Sequence, residues 1–547
     1  MDFRDLNNMR NLHIKEDVPK FFGHIVVNQV KEILKNQMTP FQIGTKKGHR
    51  PQENIFIMMS MMKLNQTMKK PTIVQLYDIS KFFDKENLPD IMNELHGVGL
   101  KGKLYRILYK LNEKRIIKVN TAVGSTDEEE VAEGVGQGSL EGAVISATGL
   151  GRGVNSFFKS SQWEAFYGSV RLQPSLYQDD IGRMVSNLLA AQAGNTFLST
   201  MMESKLLNFN VLKSVFLVVG NCEETEKIKE QVTEKPLMLS GKIMKNVVQY
   251  DYLGMVVHEG GAGASAAATV NKRVGRVKQL IFEIKAVLED CRLETVGGLI
   301  SGLDLWEMMV LPYLYFSSEC WTDISKETMK KLTDLHLLFY RSLLASGRGA
   351  PIGGLFWFLG QLLPENLLMQ KKLLFLFHLA NLPSDAIARK IYEEQRRLKF
   401  EGLVSDCRLY LAELNIRESL VTVSSKYEWR SLVRERISLK NHKDILEMCK
   451  EYRTLDYFEL KHENFKCKEF FKNMKLLVCR TYFSIRTNMS RHAKLNFASD
   501  PEFSKQLWKC DNSNIKQMSY TLHVRYCDSY KHLRTGKDFS DDKIRIN

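Results

Sequence analysis

The sequence lacks an uninterrupted apolar run of the length that a bilayer crossing takes, about 20 predominantly apolar residues. The most apolar stretch lies between Val296 and Trp321 and is interrupted by Asp304 and Glu307, so it predicts one buried helix. The first ten residues, MDFRDLNNMR, contain no apolar core of a signal peptide. We therefore expect no membrane partner through an inserted segment.

Paired cysteines, internal repeats and low-complexity tracts are also missing. The nine cysteines are odd in number and scattered, which indicates free thiols in a reducing compartment rather than a disulfide framework. Negative charge is in deficit, because 78 Lys and Arg stand against 63 Asp and Glu in 547 residues, a formal net charge of +15. This balance favours a polyanionic partner, either nucleic acid or an acidic membrane surface, and does not choose between them.

Strand-like and helix-like patterns alternate over the first 260 residues. Short β-branched runs at 73–79, 116–123 and 250–257 each predict a strand, and helical patterns lie between them. This mixture predicts an α+β core. The composition then changes in HEGGAGASAAAT, residues 258–269, which predicts a flexible loop. The chain beyond it, up to about residue 420, has a helical pattern, and a basic helical region follows.

Carboxylates follow two of the apolar runs. Asp78 comes at the end of IVQLYD, and Asp179 and Asp180 come at the end of SLYQDD. A carboxylate at the tip of a buried strand is costly unless it is paired or binds a metal. If the two strands are neighbours, Asp78 and Asp179 could hold two divalent ions about 3.5–4 Å apart, as in nucleotidyl transfer, and oxygen ligands suit Mg²⁺. An isolated Asp-Asp pair is more commonly a turn or a helix cap, so the context decides.

The order of the motifs supplies that context. The segments LYDISKFFD, GVGQGSLEGAVIS, LYQDDI, FNVLKS and YDYLGM resemble, in this order, the palm of a reverse transcriptase, most closely the enzymes of non-LTR retrotransposons (long interspersed elements). FQIGTKKGHRPQENIF, residues 41–56, resembles the fingers motif of the same enzymes, with its Gln, its Gly and its basic cluster. The motifs cover about residues 38–257, and a weaker similarity continues to about residue 540.

This resemblance implies a right-hand polymerase. Fingers and palm would occupy residues 1–260, a helical thumb residues 261–360, and a basic helical C-terminal region residues 361–547. The implied activity is extension of a DNA primer on an RNA template with deoxynucleoside triphosphates and two Mg²⁺ ions. By resemblance, the protein would act inside the cell, in cytoplasm and nucleus.

The resemblance also implies the catalytic residues. Asp78 and Asp179 would bind the metal ions, with a contribution from the backbone carbonyl of Ile79, and Asp180 would add negative potential. Lys213, in FNVLKS, would lie near the leaving pyrophosphate as a proton donor. An ordinary solvated lysine is the alternative for Lys213.

Residues that would contact the substrates follow from the same motifs. Phe83 matches the aromatic steric gate that rejects a ribonucleotide 2′-OH; without the motif, a core aromatic is the commoner role for such a residue, and only the motif position favours the gate. Gln137 and Gly138 match the turn beside the incoming base, where glycine lets the backbone approach a ligand. A plain glycine turn is the alternative. The matched basic fingers residues are Lys46, Lys47 and Arg50, and the primer-grip hairpin is matched by Tyr252, Leu253 and Gly254.

Three features depart from the family pattern. Gln178 stands where the family usually has Ala. Only about 40 residues precede the fingers motif, from which we expect a truncated copy without an endonuclease. Near the C-terminus, Cys510, His523 and Cys527 resemble a retroelement zinc knuckle whose second cysteine is replaced by Ser513, and since structural zinc takes four N or S ligands, we expect no bound zinc.

Two other functions remain open at this point. A group II intron maturase or a telomerase-like protein would share the palm, although no segment specific to either is visible. A retroelement-derived nucleic-acid-binding protein without catalysis would keep the basic charge but would have no need for Asp78, Asp179 and Asp180.

Overall fold

A computed structural model provides the structure of the protein. It describes residues 17–34, 39–118, 120–121, 124–131, 134–136, 138–158, 165–290, 296–450 and 471–486. Helices and strands are mixed throughout the first half of the chain and helices dominate the second half, which confirms the expected mixture.

The helices are α1 (Asp17–Leu34), α2 (Pro51–Thr67), α3 (Phe82–Lys85), α4 (Leu88–Gly97), α5 (Gly102–Glu113), α6 (Leu140–Phe158), α7 (Leu188–Ser204), α8 (Glu223–Glu234), α9 (Ala262–Asp290), α10 (Gly298–Leu305), α11 (Leu311–Leu314), α12 (Lys326–Leu343), α13 (Ile352–Leu359), α14 (Pro364–Ala380), α15 (Ile387–Leu398), α16 (Leu403–Glu413), α17 (Leu420–Val423), α18 (Lys426–Lys450) and α19 (Leu476–Arg486). The strands are β1 (Thr72–Tyr77), β2 (Arg115–Ile117), β3 (Asn120–Thr121), β4 (Gly124–Ser125), β5 (Glu129–Val131), β6 (Ala165–Tyr167), β7 (Val170–Leu172), β8 (Ser175–Tyr177), β9 (Asp180–Val185), β10 (Val215–Val219), β11 (Met238–Leu239), β12 (Lys242–Ile243), β13 (Lys245–Asn246), β14 (Gln249–Tyr252) and β15 (Met255–His258).

A five-stranded sheet lies at the centre of the first half, in the order β13-β10-β1-β9-β8. Its strands pair antiparallel except for β10 and β13, which are parallel. Every residue of β1 is buried, as expected for a central strand covered on both faces. Val74 and Leu76 belong to a core cluster with α2 and α9, whereas Ile73 and Tyr77 belong to a second cluster with α7. The alternation of a strand's side chains thus separates two cores.

The prediction of a flexible loop at 258–269 is wrong. Only residues 259–261 connect β15 to α9, and the Ala-rich part begins that 29-residue helix. Alanine has the highest helix propensity, and its small side chain lets this end of α9 pack closely on β15. The buried Ser265 and Thr269 hydroxyls accept hydrogen bonds from the backbone N–H of His258 and Val256, at 2.9 and 3.0 Å.

Two further segments are more broken than their patterns suggest. Residues 250–257 are not one strand, because β14 and β15 form a hairpin with Leu253 and Gly254 in its turn. The segment 296–321 was predicted as one buried helix, but it consists of α10, a π-helical turn at Trp306–Val310, α11 and a 3₁₀ turn, and Val296, Met308 and Met309 are exposed. Pro312 follows the π turn, where a missing backbone donor favours such a break.

The C-terminal helices pack back onto α2. The rings of Phe56 and Phe375 meet edge to face with centroids 6.0 Å apart, and Gln395 Nε2 donates to Ser60 Oγ at 2.9 Å. One hydrophobic cluster accordingly runs from α2 to α19. Among the described helices, none combines the length and the apolar content that crossing a membrane takes.

Candidate active site

The register of β1 against β9 brings the predicted carboxylates together. Tyr77 pairs with Ile181, so one further step in the same antiparallel register sets Asp78 opposite Asp180. Directly opposed residues of an antiparallel pair project on the same face. Asp179 lies in the two-residue turn between β8 and β9, and all three aspartates are half-buried.

The turn that carries Asp179 has an unusual backbone. Tyr177 pairs with Asp180, which leaves Gln178 and Asp179 as the central residues of the hairpin turn. Gln178 has φ = 58°, a left-handed conformation that costs a non-glycine residue about 1–3 kcal/mol. A positive φ at the first central position alone is the pattern of a type II′ turn. The turn therefore needs outside support.

Gln42 supplies that support from the loop before α2. Its buried side-chain amide donates to the Gln178 carbonyl at 3.0 Å and accepts from the Gln178 N–H at 3.0 Å. The same side-chain oxygen, Gln42 Oε1, also accepts from the backbone N–H of Gly44 at 3.1 Å. A Cβ on Gly44 would lie 2.5 Å from the Gln178 nitrogen, so this close approach requires glycine. The loop therefore fixes the turn that carries Asp179.

A buried polar network stabilises the pairing of β1 with β9 from the α7 side. Arg183 Nη1 donates to Gln75 Oε1 and to the Ala190 carbonyl, both at 2.9 Å. Gln75 Nε2 and the Tyr77 hydroxyl both donate to Asn195 Oδ1, at 2.8 Å each. Because buried polar groups are costly when unsatisfied, these bonds favour this register over its neighbours.

The FNVLKS segment is hydrogen-bonded to the end of β1. The Asp78 carbonyl accepts from the Asn210 N–H at 2.8 Å, and the Ser80 N–H donates to the Asn208 carbonyl at 2.9 Å. The Ser214 hydroxyl accepts from the Asp78 N–H at 3.1 Å. The Ile79 carbonyl accepts neither of these backbone hydrogen bonds, because they are formed by Asp78 and Ser80 on either side of it. Lys213 is exposed on this loop.

Tyr250 links this loop to the β14–β15 hairpin. Its hydroxyl donates to the Lys213 carbonyl at 2.7 Å. Burial raises the pKa of Tyr250, and the negative charges of Asp78, Asp180 and Asp251 raise it further. The charges of Asp78 and Asp180 therefore both act on one hydroxyl, which indicates that the two carboxylates share one side of the sheet.

The oxygen donors at this edge fit a hard cation. Among the residues that the structure describes, no three or more His, Cys, Asp or Glu side chains converge into a preassembled metal centre. Mg²⁺ is commonly held by only one or two carboxylates, with water and substrate phosphates in the other positions. A Mg²⁺ ion at this edge would have to be held in that way, by one or two of Asp78, Asp179 and Asp180.

A further carboxyl group is buried near Asp179. Burial raises the pKa of Glu86 to about 8; a hydrogen bond from Ser146 and the charge of Lys205 oppose the rise, whereas the negative charge of Asp179 adds to it. Lys205 is itself paired with Glu94, at 2.6 Å between Nζ and Oε1. Glu86 is therefore neutral at pH 7.

Phe82 and Phe83 have different environments despite their adjacency. Phe82 is buried in the core with α7, whereas Phe83 is half-buried between two clusters. The glycine-rich segment packs on this turn, because the N–H of Val135 donates to the Phe83 carbonyl at 2.7 Å. Gly138 is exposed with φ = 95°. Gln137 lies outside the described residues.

The predicted primer-grip residues divide into an anchor and a tip. Tyr252 is buried, and its hydroxyl lies against Gly182 of β9. Leu253 and Gly254 form the turn, both with positive φ. Arg273 of α9 donates to the Gly254 carbonyl. The hairpin is thus fixed to both the sheet and α9, while Gly254 at its tip and Gln249 and Asp251 of β14 are exposed.

The basic residues of the fingers motif do not share one environment. Lys46 is half-buried and its Nζ donates to the Thr39 carbonyl at 2.7 Å. Lys47 and Arg50 are exposed and line a cavity beside α14 and α18. The residues of the degenerate zinc knuckle, Cys510, His523 and Cys527, lie outside the described residues.

Sequence reasoning did not assign roles to Gln42, Tyr250 or Arg183. The glutamine stood inside the recognised FQIG motif, and Tyr250 lies two residues before Tyr252, so the motifs contained both residues without indicating their contacts. Arg183 directly follows DDIG, and its position in the strand alternation on the side of Ile181 was the available signal for burial.

The comparisons with known proteins supply neither a family nor a curated relative. No family model matches the chain, and no curated protein matches it. The solved structures that match include telomerase from Candida albicans in complex with the TWJ fragment of telomeric RNA, at 13% identity and a TM-score of 0.33, over 76% of this chain and 56% of that one.

Two telomerase structures from Candida tropicalis also match. One is in complex with the TWJ fragment of telomeric RNA, at 10% identity and a TM-score of 0.31, over 77% of this chain and 57% of that one. The other is the apo form, at 10% identity and a TM-score of 0.31, over 76% and 60%. The chain thus spans less than two thirds of each of these proteins. Likenesses this loose assign neither a family nor an activity, and the function has to be argued from the residues of this chain.

Replacing Gln42 by Ala is expected to lower the free energy of unfolding by about 1–3 kcal/mol, because the half-buried N–H and carbonyl of Gln178 lose their partner. Denaturant unfolding measures the change. The control Gln231→Ala removes an exposed glutamine from α8 and should stay within about 0.5 kcal/mol of the parent. Equal effects of the two substitutions would contradict the proposed support of the turn.

Glu86 is expected to make stability fall as the pH rises. Its carboxyl ionises near 4.5 in the unfolded chain and near 8 in the folded one, so between these values the folded chain holds the extra proton and loses stability with increasing pH. Glu86→Gln removes this dependence. Relative to the parent, the free energy of unfolding of this variant should rise by up to about 4 kcal/mol between pH 5 and 8, the effect of one full proton.

Denaturant unfolding at several pH values measures this difference. The control is Glu230→Gln, on the exposed face of α8, which should change little over the same range. A constant difference between the Glu86→Gln variant and the parent would show that Glu86 is ionised in the folded chain.

Proposed function

We propose that the chain is an RNA-directed DNA polymerase of the non-LTR retrotransposon type, which extends a DNA primer on an RNA template. The observation that carries this proposal is the antiparallel pairing of β1 with β9, whose last pair, Tyr77 with Ile181, directly precedes Asp78 and directly follows Asp180, beside the turn of Asp179. In this proposal the central sheet forms the palm, the segments around α1 to α6 form the fingers, and α9 to α12 form the thumb.

The carboxylates would act electrostatically, by holding metal ions, and would form no covalent bond with the substrate. Asp78 and Asp179 would hold two Mg²⁺ ions, with Asp180 adding to the negative potential. When bound, such ions activate the attacking 3′-oxygen and neutralise the charge that develops on the leaving pyrophosphate. The support of the turn by Gln42 matters here, because electrostatic stabilisation depends on groups that are already in position.

The neighbouring residues would position the substrates. Lys213, exposed on the loop attached to Asp78, would donate a proton to the pyrophosphate. Half-buried Phe83 would present its ring to the sugar, and the tip of the β14–β15 hairpin would contact the primer strand. The net charge of +15 would favour phosphate contacts that weaken as salt increases.

The catalytic assignment is tested with a homopolymer assay. Asp78→Asn and Asp179→Asn should each reduce deoxynucleotide incorporation on poly(rA)/oligo(dT) with Mg²⁺ by on the order of 100-fold or more, because each removes a charge that holds the metal. The control Asp334→Asn changes an exposed carboxylate of α12 and should retain parental activity. No incorporation by the parent would overturn the enzymatic proposal, and equal incorporation by all variants would overturn the assignment of the site.

The steric gate is tested by the choice of sugar. Phe83→Val should reduce the preference for deoxynucleotides over ribonucleotides by roughly 10- to 100-fold, because the smaller side chain leaves room for the 2′-OH. The ratio of kcat/KM for dTTP and UTP measures this preference. Phe282→Val, at an exposed phenylalanine of α9, is the control. An unchanged ratio in Phe83→Val would show that another group selects the sugar.

A further inference from the structure

A cavity of about 570 Å³ lies between the loop before α2 and two C-terminal helices. This junction cavity is lined by residues of the loop at 47–50, of α14 and the turn after it, and of α18. Its size is within the range of about 300–1,000 Å³ that is typical of ligand sites. It shares no lining residue with the carboxylate cluster.

The lining of the junction cavity is strongly cationic. Five lysines and arginines line it: Lys47, Arg50, Lys371, Lys426 and Arg430. Within the described part of the chain, none of these five forms an ion pair. Glu319 is the lining carboxyl group. The cavity therefore carries an excess of positive charge in a concave surface, which concentrates the field that attracts an anion.

The second acidic group near the cavity is already satisfied. Glu53 is buried, and its carboxylate contacts His49 Nδ1 at 2.7 Å and His378 Nε2 at 2.8 Å. Its Oε1 also accepts from the Arg50 N–H at 2.9 Å. These contacts join the loop to α14. One negative charge each on Glu53 and Glu319, set against the five cations, still leaves an excess of three positive charges at the cavity.

The depth of the cations varies across the cavity. Lys371 is half-buried on α14, whereas Lys47, Arg50, Lys426 and Arg430 are exposed. Lys426 and Arg430 lie one helical turn apart on α18 and so point to the same side. A deep cation with exposed ones around it suits a chain of phosphates better than a single compact anion. Guanidinium groups bind phosphate oxygens in pairs, and lysine adds a point charge.

We propose that the junction cavity binds successive phosphate groups of a single-stranded nucleic acid. The inference of a phosphate site rests on the cavity and its five cations. Only the identity of the strand, a template or a product beyond the carboxylate cluster, rests on the proposed function. Because phosphate contacts carry no base information, this binding is independent of sequence.

The experiment measures binding of a 5′-fluorescein oligo(rU) and an oligo(dT) by fluorescence anisotropy at increasing NaCl, without divalent metal or nucleotides. Loss of polymerase activity therefore does not affect the result. In the double variant Lys371→Gln/Arg430→Gln, we expect the affinity to fall by on the order of tenfold. The slope of log K against log[NaCl] should decrease by about 1.4, since each lost single-strand contact accounts for about 0.7.

Two matched variants exclude other causes. Lys235→Gln/Lys242→Gln removes the same charge from exposed positions elsewhere and should change neither the affinity by more than about twofold nor the slope. Lys371→Arg/Arg430→Lys keeps the charge and should keep the parental salt slope. Thermal unfolding of all variants checks that each is folded.

Three results would overturn the proposal. One is parental affinity and slope in Lys371→Gln/Arg430→Gln. Another is an equal loss in the Lys235→Gln/Lys242→Gln control, which would indicate a general charge effect. The third is competition by ATP or tripolyphosphate as strong as by unlabelled oligonucleotide at equal phosphate concentration, which would assign the cavity to a free polyphosphate.

Discussion

The pairing of β1 with β9 is the constraint on which the candidate site depends. Asp78 comes from one end of the first strand and Asp180 from the start of the other, and 102 residues separate them in the sequence. A slip of one residue would turn the side chains of β9 to the opposite faces of the sheet. It would move Asp180 to the α7 side of the sheet. Each of the two cores would then receive the β9 side chains that now belong to the other.

This register is held by polar groups as much as by apolar ones. The apolar faces of β1 determine that the strand is central, but Val, Leu and Ile side chains tolerate small shifts. The contacts of Arg183 with Gln75 and of Tyr77 with Asn195 do not, because a shifted strand would leave buried donors unsatisfied. The hydrogen bonds of the buried Arg183 thus help to fix the register, and the register fixes the positions of the carboxylates.

Much of this architecture could be predicted from the sequence, for reasons that are local. A β-branched run ending in Asp78 indicates a buried strand, and the order of the motifs suggested that Asp78 and Asp179 meet. The contacts of Gln42 with Gln178 span 136 positions, and that of Glu53 with His378 spans 325. Contacts between residues so far apart in the sequence leave no signal in its local periodicity. The Ala-rich start of α9 was missed because its glycines and serines have the composition of a linker, whereas the packing on β15 makes it a helix.

The loop between Gln42 and Glu53 is anchored at both ends. At one end Gln42 holds the hairpin turn, and at the other Glu53 is bound to His378 of α14. Loops that connect helices usually accept insertions and deletions easily. Here a single added or removed residue would pull one anchor out of place, so the length of this partly exposed segment is as strongly constrained as the length of a core strand.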